Sequence, residues 1–347
     1  MVSEKLIAKV KSNIYIAYTI TFILFLLIGL LPIEIKNQSL FFSGLFSDHE
    51  GRIDGLKQHS LFIYDYVRTI KEAIASGNGI QLFRFDIGLG SDFILNYTYY
   101  SLFDPLTLIA YIVPLSYIET TYYLLIILRL YLSGIFIILL AKKFNIKKVN
   151  ALLATSIFYV FNVSVLFAAF RHPMFINGPM YIPLLILGAE KIFRGERPYL
   201  LIFASFFALI SQFYFYIYLA VGFEIFVIVR LLVGVQKEER KENIKRFFNV
   251  NLLFALGTFL GGFVLVTQLM GVVGSSRVDS KGLILYNGFD FATTLASFII
   301  PVVGAHFTAN IGNFVVFVMA LIFIHKTFIN NTIIYKNFYF SERKIKY

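Results

Sequence analysis

A stripe of polar side chains in the first third of the chain contains residue types that suit proton transfer. Residues 52–75 have helical periodicity, and at about 100° per residue a set of polar side chains falls within roughly 40° of one line. The set is Asp54, Gln58, Asp65, Arg68 and Glu72. A carboxylate with an ordinary pKa of about 4 is ionised at neutral pH and can accept a proton. Asp54 heads the stripe and is the candidate base.

The pattern supports two interpretations. Apolar side chains cover most of the rest of the segment, as is typical of an amphipathic helix that lies on a membrane with its polar face in water. Alternatively, Asp54 and Gln58 point into a cavity at the membrane surface. The periodicity does not separate these two.

The residues that follow indicate turns and caps. Ser76-Gly77-Asn78-Gly79 is a helix stop. The next glycines, Gly88 and Gly90, lack the Lys-Ser/Thr pair of a phosphate-binding loop, so we predict a turn that re-enters the membrane. Asp104 precedes a proline and is predicted to cap a short helix.

A metal site is a weaker hypothesis. Asp48, His49, Glu50 and Asp54 are types that bind divalent ions, but adjacent acidic residues are equally typical of a solvated turn. We therefore expect no metal and no other cofactor.

The composition requires a membrane. Of the 347 residues 58% are hydrophobic and only 15% are charged, against roughly 25% charged in an ordinary soluble domain. The mean hydropathy is +0.76, and the chain contains neither Cys nor Trp. These values exclude a soluble enzyme and a disulfide-linked secreted domain, and favour an all-α polytopic membrane protein.

Eight apolar segments are predicted to cross the bilayer. They are residues 14–31, 120–141, 151–170, 179–193, 200–214, 215–233, 251–273 and 307–325, with a helical hairpin turning near residues 212–216. Two further apolar pieces, 102–118 and 291–303, contain prolines and are predicted to be re-entrant or interfacial. The predicted transmembrane domain covers residues 1–328, with a large first outer loop at 34–119, and a basic cytoplasmic tail follows at 329–347.

The basic residues fix the orientation. Short segments on one side of these spans hold about twice as many Lys and Arg residues as the longer loops on the other side, which places both termini in the cytoplasm. The net charge of +11 is then a consequence of topology, and nucleic acid is excluded as a partner.

An ordered set of motifs resembles the YfhO-type bacterial membrane proteins. Asp54-Gly55-x-x-Gln58-His59, Gly88-x-Gly90-Ser91-Asp92, Tyr99-Tyr100 and Asp104-Pro105-Leu106 resemble the first outer loop of that family. Later blocks follow in the same order: Pro183-Leu184-Leu185 with Glu190-Lys191, residues 212–216, and Ser275-Ser276-Arg277. The similarity extends from about residue 47 to 328. Family members continue further, so the chain is expected to be a fragment or a truncated gene product.

The resemblance implies a function. YfhO-type proteins are similar to GT-C glycosyltransferases, which take a sugar from a polyprenyl-phosphate carrier and act on the outer face of the cell membrane. The implied acceptor is a cell-surface polymer of the lipoteichoic acid type. GT-C enzymes carry an essential acid in the first outer loop, here Asp54 or, as the weaker choice, Asp48.

The resemblance also suggests substrate-binding residues, namely Gln58, His59, Asp92, Asp104, Arg171 and Arg277. Arginine suits a phosphate leaving group because it stays charged and binds two oxygens at once. Arg171 and Arg277 are therefore candidates for phosphate contact, although interfacial snorkelling is the favoured interpretation of Arg171.

Two charges fall inside predicted spans and lead to a second hypothesis. Arg129 and Glu224 are costly at that depth unless paired, so we predict an Arg129–Glu224 ion pair. The alternative is a polar pathway in a lipid or glycan flippase or transporter without covalent chemistry. A non-catalytic fragment is the third hypothesis.

Overall fold

The computed structural model describes residues 13–37, 58–87, 90–162, 165–166, 169, 173–232 and 240–273. Within these ranges helices dominate. They are α1 Ile14–Asn37, α2 Ser60–Ser76, α3 Phe93–Tyr99, α4 Ile118–Lys143, α5 Val149–Val160, α6 Asn177–Phe193, α7 Tyr199–Ser211, α8 Phe213–Leu232, α9 Arg240–Leu260 and α10 Gly262–Val273. Two short strands, β1 Phe83–Arg84 and β2 Ser91–Asp92, pair antiparallel.

Several helices are apolar enough to lie in a bilayer. The stretch Leu115–Lys143, which includes α4, and α8 are long and apolar enough to cross it, and α9 with α10 would add a third span if the bent pair acts as one. Ile14–Gly29, α5 and α7 are apolar but shorter. A span needs about 20 apolar residues because the hydrocarbon core is about 30 Å thick, and it is helical because every backbone polar group must be satisfied within the chain. The predicted class of a helical membrane protein is confirmed.

The predicted helical hairpin has its break at Gln212. α7 ends at Ser211, and Gln212 is extended, with φ −164° and ψ 96°, before α8 begins at Phe213. The apolar run from residue 200 to 233 is therefore two helices, as its length required.

The predicted span over residues 251–273 is interrupted by a bend. α9 and α10 meet at Gly261 and are bent by 68°. A Cβ added at Gly257 would lie 2.4 Å from the Ile202 carbonyl oxygen, and one at Gly261 would lie 2.8 Å from Leu209 Cδ2. The two glycines, four residues apart, therefore let α9 and its C-terminal break approach α7 closely.

The core consists of two apolar clusters. One joins α1 to α5, with Tyr18, Tyr66 and Phe93 among its fully buried side chains. The other joins residues of α6 to α10 around Leu185 and Phe223. Described residues up to 227 and from 246 onward belong to one compact unit. Residues 228–232 and 240–245 belong to a second.

The first loop contains a small folded lobe. α2 ends where predicted, with Gly77 left-handed (φ 70°) and its N–H bonded to the Ala73 carbonyl. Where a re-entrant turn was predicted, Ser91–Asp92 forms a strand, and Arg84 and Ser91 are partners in its register. The predicted interfacial segment 102–118 does not form a continuous helix: it contains short 3₁₀ helices at Thr107–Ile112 and Leu115–Tyr117, separated by Pro114.

Candidate functional site

A buried ion pair joins the segment that precedes α4 to α4 itself. Arg129 Nη2 lies 2.5 Å from Asp104 Oδ2, and the Asp104 side chain is completely enclosed. Arg129 lies eleven residues into α4, which at 1.5 Å per residue is about 16 Å from the beginning of the helix. Charges at such depth persist only when paired and hydrogen-bonded. The carboxylate and the guanidinium therefore require each other.

The predicted Arg129–Glu224 pair is wrong. Arg129 donates to Asp104, Thr107 and Asn177, and through Nη1 to the Leu125 carbonyl oxygen. Glu224 has no ion-pair or hydrogen-bond partner within the part of the chain that the structure describes. The partner of Arg129 comes instead from the segment that was assigned a capping role.

Asp104 has local and distant hydrogen-bond partners on different oxygens. Oδ1 accepts the Leu106 backbone N–H at 2.9 Å, two residues along the chain, and so stabilises the turn that leads into the 3₁₀ helix at Thr107. That helix has Leu106 at its N-cap position and no side-chain cap, so the predicted capping role of Asp104 is wrong in its detail. Oδ2 accepts from Arg129 and, at 3.0 Å, from Asn177 Nδ2. Asn177 also accepts from Arg129 Nε at 2.9 Å and so bridges both members of the pair.

The break between α7 and α8 belongs to the same polar region. The Ser211 carbonyl, left free where α7 stops, accepts from Ser101 Oγ at 2.9 Å. Ser101 is left-handed (φ 64°), a conformation that non-glycine residues rarely adopt. Gln212 is buried, and neither end of its side-chain amide has a hydrogen-bond partner among the residues that the structure describes. The polar region therefore joins four chain segments: 101–107, α4, the start of α6 and the end of α7.

A small cavity opens beside Arg129 and is large enough for a water molecule. Its polar lining comes from His59, Tyr100, Ser101, Thr107, Tyr122 and Arg129. His59 is buried, and its ring lies 5.4 Å from the Tyr100 ring in an edge-to-face arrangement. Residues from the segment 59–107 and Arg129 of α4 therefore meet at one cavity.

The structure brings together only some of the predicted site residues. His59 lines the cavity, and Asp104 holds the arginine that also lines it. Gln58 directly precedes His59 and is half-buried. Asp92 does not line the cavity; it caps α3 by accepting the Leu95 N–H at 2.7 Å. Asp54, Asp48, Arg171 and Arg277 lie outside the described residues.

Sequence reasoning did not identify Asn177, Thr107 and Ser211 as members of this site. A signal existed for Asn177, since it is a polar residue at the head of an apolar helix, two residues before the predicted start of a span. Thr107 and Ser211 carried no such signal. Among the described residues, no three His, Cys, Asp or Glu side chains lie close enough together to hold a metal ion.

Apolar spanning helices around a satisfied charge pair define a helical membrane protein. The family model described as "Bacterial membrane protein YfhO" matches residues 47–341. The chain therefore belongs to the YfhO family of bacterial membrane proteins.

A relative in Bacillus subtilis (strain 168), named "Uncharacterized protein YfhO", is 32% identical over 151 residues. The aligned stretch covers 42% of this chain and 17% of the relative, so the chain corresponds to a minor part of the relative's length. No solved structure matches the chain.

Proposed function

We propose that this protein is a GT-C-like membrane glycosyltransferase that moves a sugar from a polyprenyl-phosphate carrier to a cell-surface polymer of the lipoteichoic acid type. The observation that carries the proposal is the meeting of His59 and Arg129 at one cavity. His59 lies five residues after Asp54, the acid in the first outer loop.

Transfer requires a base and a group that receives the leaving phosphate. The acceptor hydroxyl attacks the anomeric carbon, Asp54 takes the hydroxyl proton, and the bond between that carbon and the phosphate oxygen breaks. Arg171 and Arg277 are the proposed phosphate contacts. Gln58, His59 and Asp92 remain proposed substrate-binding residues. Asp104 contributes by holding Arg129 and not by touching the substrate, because its side chain is fully enclosed.

The proposed topology has eight spans with both termini in the cytoplasm and residues 34–119 on the outer face. The distribution of basic residues supports it. In this arrangement the donor reaches the site laterally from the bilayer.

A flippase or transporter without covalent chemistry is the second candidate. The observation that favours it is helix discontinuity: α7 and α8 are interrupted at Gln212, and α9 and α10 at Gly261. Interrupted helices next to a buried ion pair are common at the transport sites of carriers.

The glycosyltransferase proposal is tested with Asp54→Asn, which keeps the shape of the side chain but removes its basicity. We expect transfer of labelled sugar from a polyprenyl-phosphate donor in proteoliposomes to fall by about 10²- to 10⁴-fold, as for loss of a general base. Glu72→Gln is the matched control, since Glu72 lies on the same stripe and is exposed. Asp65 is unsuitable as a control because it is ion-paired to Arg84.

The outcomes separate the hypotheses. Parental activity of Asp54→Asn together with an inactive Asp48→Asn would move the base to Asp48. If no carboxylate variant in the first loop affects sugar transfer while labelled lipid still crosses the bilayer, the flippase is favoured. Absence of both activities supports a non-catalytic chain.

A further inference from the structure

The hairpin formed by β1 and β2 exposes apolar side chains and buries a charged one. Phe83 and Arg84 form β1, and Phe85 begins the turn that follows. The Phe83 and Phe85 rings contact each other on the exposed side, whereas Arg84 lies on the buried side. The two phenyl rings are exposed, at 51% and 78%, while the arginine between them is only 7% exposed. In water the charge would be expected outside and the rings inside. This strand has the opposite arrangement.

Arg84 is firmly held on the inner face. Its Nη1 donates to Asp65 Oδ2 at 2.9 Å and to Thr69 Oγ1 at 2.6 Å, both on α2. Its Nε donates to Asp86 Oδ1 at 3.0 Å, and this hydrogen bonding lowers the pKa of the Asp86 carboxyl. Asp65 also accepts from the Tyr97 hydroxyl on α3. These bonds fix which face of the hairpin points outward.

The outward face is apolar. Phe83 and Phe85 are exposed and pack together, and Ile80 and Leu82 in the same stretch of chain are exposed as well; we call this set of four side chains the apolar hairpin face. The Phe83 and Phe85 rings lie 5.2 Å apart in an edge-to-face pair. Gly90, at φ 106°, leaves room for them: a Cβ there would lie 3.0 Å from Phe83 Cζ. Single exposed apolar side chains are normal on a protein surface, but four large ones within six residues form a contiguous patch, which usually marks an interaction site.

The lobe formed by α2, β1 and β2 is hydrogen-bonded to the chain just before a stretch that is long and apolar enough to span. Lys71, on α2, donates to the Val113 carbonyl oxygen, two residues before the stretch Leu115–Lys143. Ile112 and Tyr117, on either side of this point, are exposed at 84% and 59%. Exposed aliphatic and aromatic side chains at the end of a span are typical of the bilayer interface. The lobe that includes the apolar hairpin face is therefore attached to the chain two residues before a stretch that is long and apolar enough to span.

We propose that the apolar hairpin face is a membrane anchor that inserts Leu82, Phe83 and Phe85 into the leaflet at the N-terminal end of the stretch Leu115–Lys143. The partner is the lipid bilayer itself. The hydrogen bonds of Arg84 to Asp65, Thr69 and Asp86 keep the guanidinium inside the protein and leave the two phenyl rings directed toward lipid. This anchor is independent of whether the protein transfers sugar.

The absence of tryptophan permits a direct test, because any introduced tryptophan is the sole indole fluorophore. Phe85→Trp and, as a second variant, Phe83→Trp are purified and reconstituted into vesicles of phosphatidylcholine with or without bromine on the acyl chains. Asn78→Trp is the matched control, since Asn78 is an exposed polar residue in the turn after α2. We expect both hairpin tryptophans to lose most of their emission in brominated lipid and to resist aqueous iodide. The Asn78→Trp protein should behave in the opposite way.

Two results would overturn the anchor. Quenching of both hairpin tryptophans by iodide but not by bromine would place the face in water. Resistance to both quenchers would mean that protein covers the face, either a second copy or another segment of this chain. If only one variant folds, the same comparison with Asn78→Trp decides the question.

Discussion

At the residue scale, one carboxylate serves two purposes. Asp104 stabilises the turn before the 3₁₀ helix through Oδ1 and pairs with Arg129 through Oδ2. The sequence showed that Arg129 needed a partner, and it indicated a local structural role for Asp104. It did not show that Asp104 is that partner, because a second charge, Glu224, was available inside a predicted span.

Replacing Arg129 by glutamine is expected to destabilise the protein more than any change at Glu224. The substitution leaves Asp104 buried without its ion-pair partner, which costs about 3–5 kcal/mol when a buried pair is broken. We expect a lower yield of monodisperse protein in detergent and a lower thermal midpoint by circular dichroism.

Two further variants give the controls for Arg129→Gln. Asp104→Asn combined with Arg129→Gln should recover part of the loss, because no uncompensated charge remains. Glu224→Gln should be nearly neutral, since Glu224 has no ion pair within the described residues. Equal midpoints for Arg129→Gln and the parent protein would show that the pair is unimportant for folding.

At the element scale, close packing of α7 and α9 depends on a missing side chain. Gly257 faces the Ile202 carbonyl oxygen and Ser205, and the Ser205 hydroxyl donates to the Phe254 carbonyl on α9 at 3.0 Å. The hydrogen bond and the close approach hold the same pair of helices together.

Gly257→Ala is expected to lower stability by about 1–3 kcal/mol, the usual cost of overpacking. A methyl group would lie 2.4 Å from backbone oxygen, and backbone cannot move aside as a flexible side chain can. Gly262→Ala is the matched control, because nothing lies within 4 Å of its Cβ position. Alanine there should be neutral or stabilising, since it favours helix by about 1 kcal/mol. A Gly257→Ala midpoint at or above that of Gly262→Ala would refute the packing argument.

At the scale of the whole molecule, the orientation in the membrane follows from charge. The loop that contains Asn78 is expected outside, and the turn that contains Lys147 inside. The chain contains no cysteine, so each introduced cysteine is a sole thiol.

In intact cells, Asn78→Cys should react with a membrane-impermeant maleimide, and Lys147→Cys should react only after permeabilisation. Both positions are exposed, so a difference in labelling reports the side of the membrane rather than burial. The reverse pattern would invert the topology and place the first loop in the cytoplasm.

The amino-acid sequence alone determined the features that depend on near neighbours. It predicted the membrane class, the apolar segments that include α1, α4 and α8, the stop at Gly77 and the interruption at Gln212. These predictions hold because each depends only on residues close together in the chain. In lipid, the backbone N–H and C=O groups of a segment must hydrogen-bond to one another, which requires a helix. A glycine in the left-handed conformation ends a helix at its own position, and an apolar run too long for one span must be interrupted within itself.

Only the tertiary structure decided the features that depend on distant partners. Asp104 and Asn177 meet Arg129 across 25 and 48 residues, and Asp65 meets Arg84 across 19. The outward orientation of Phe83 and Phe85 follows from that last pair, and the bend at Gly261 follows the close contact with α7. Which charges pair, and which face of a strand is buried, depends on the packing of segments far apart in the chain, and local periodicity carries no information about that packing.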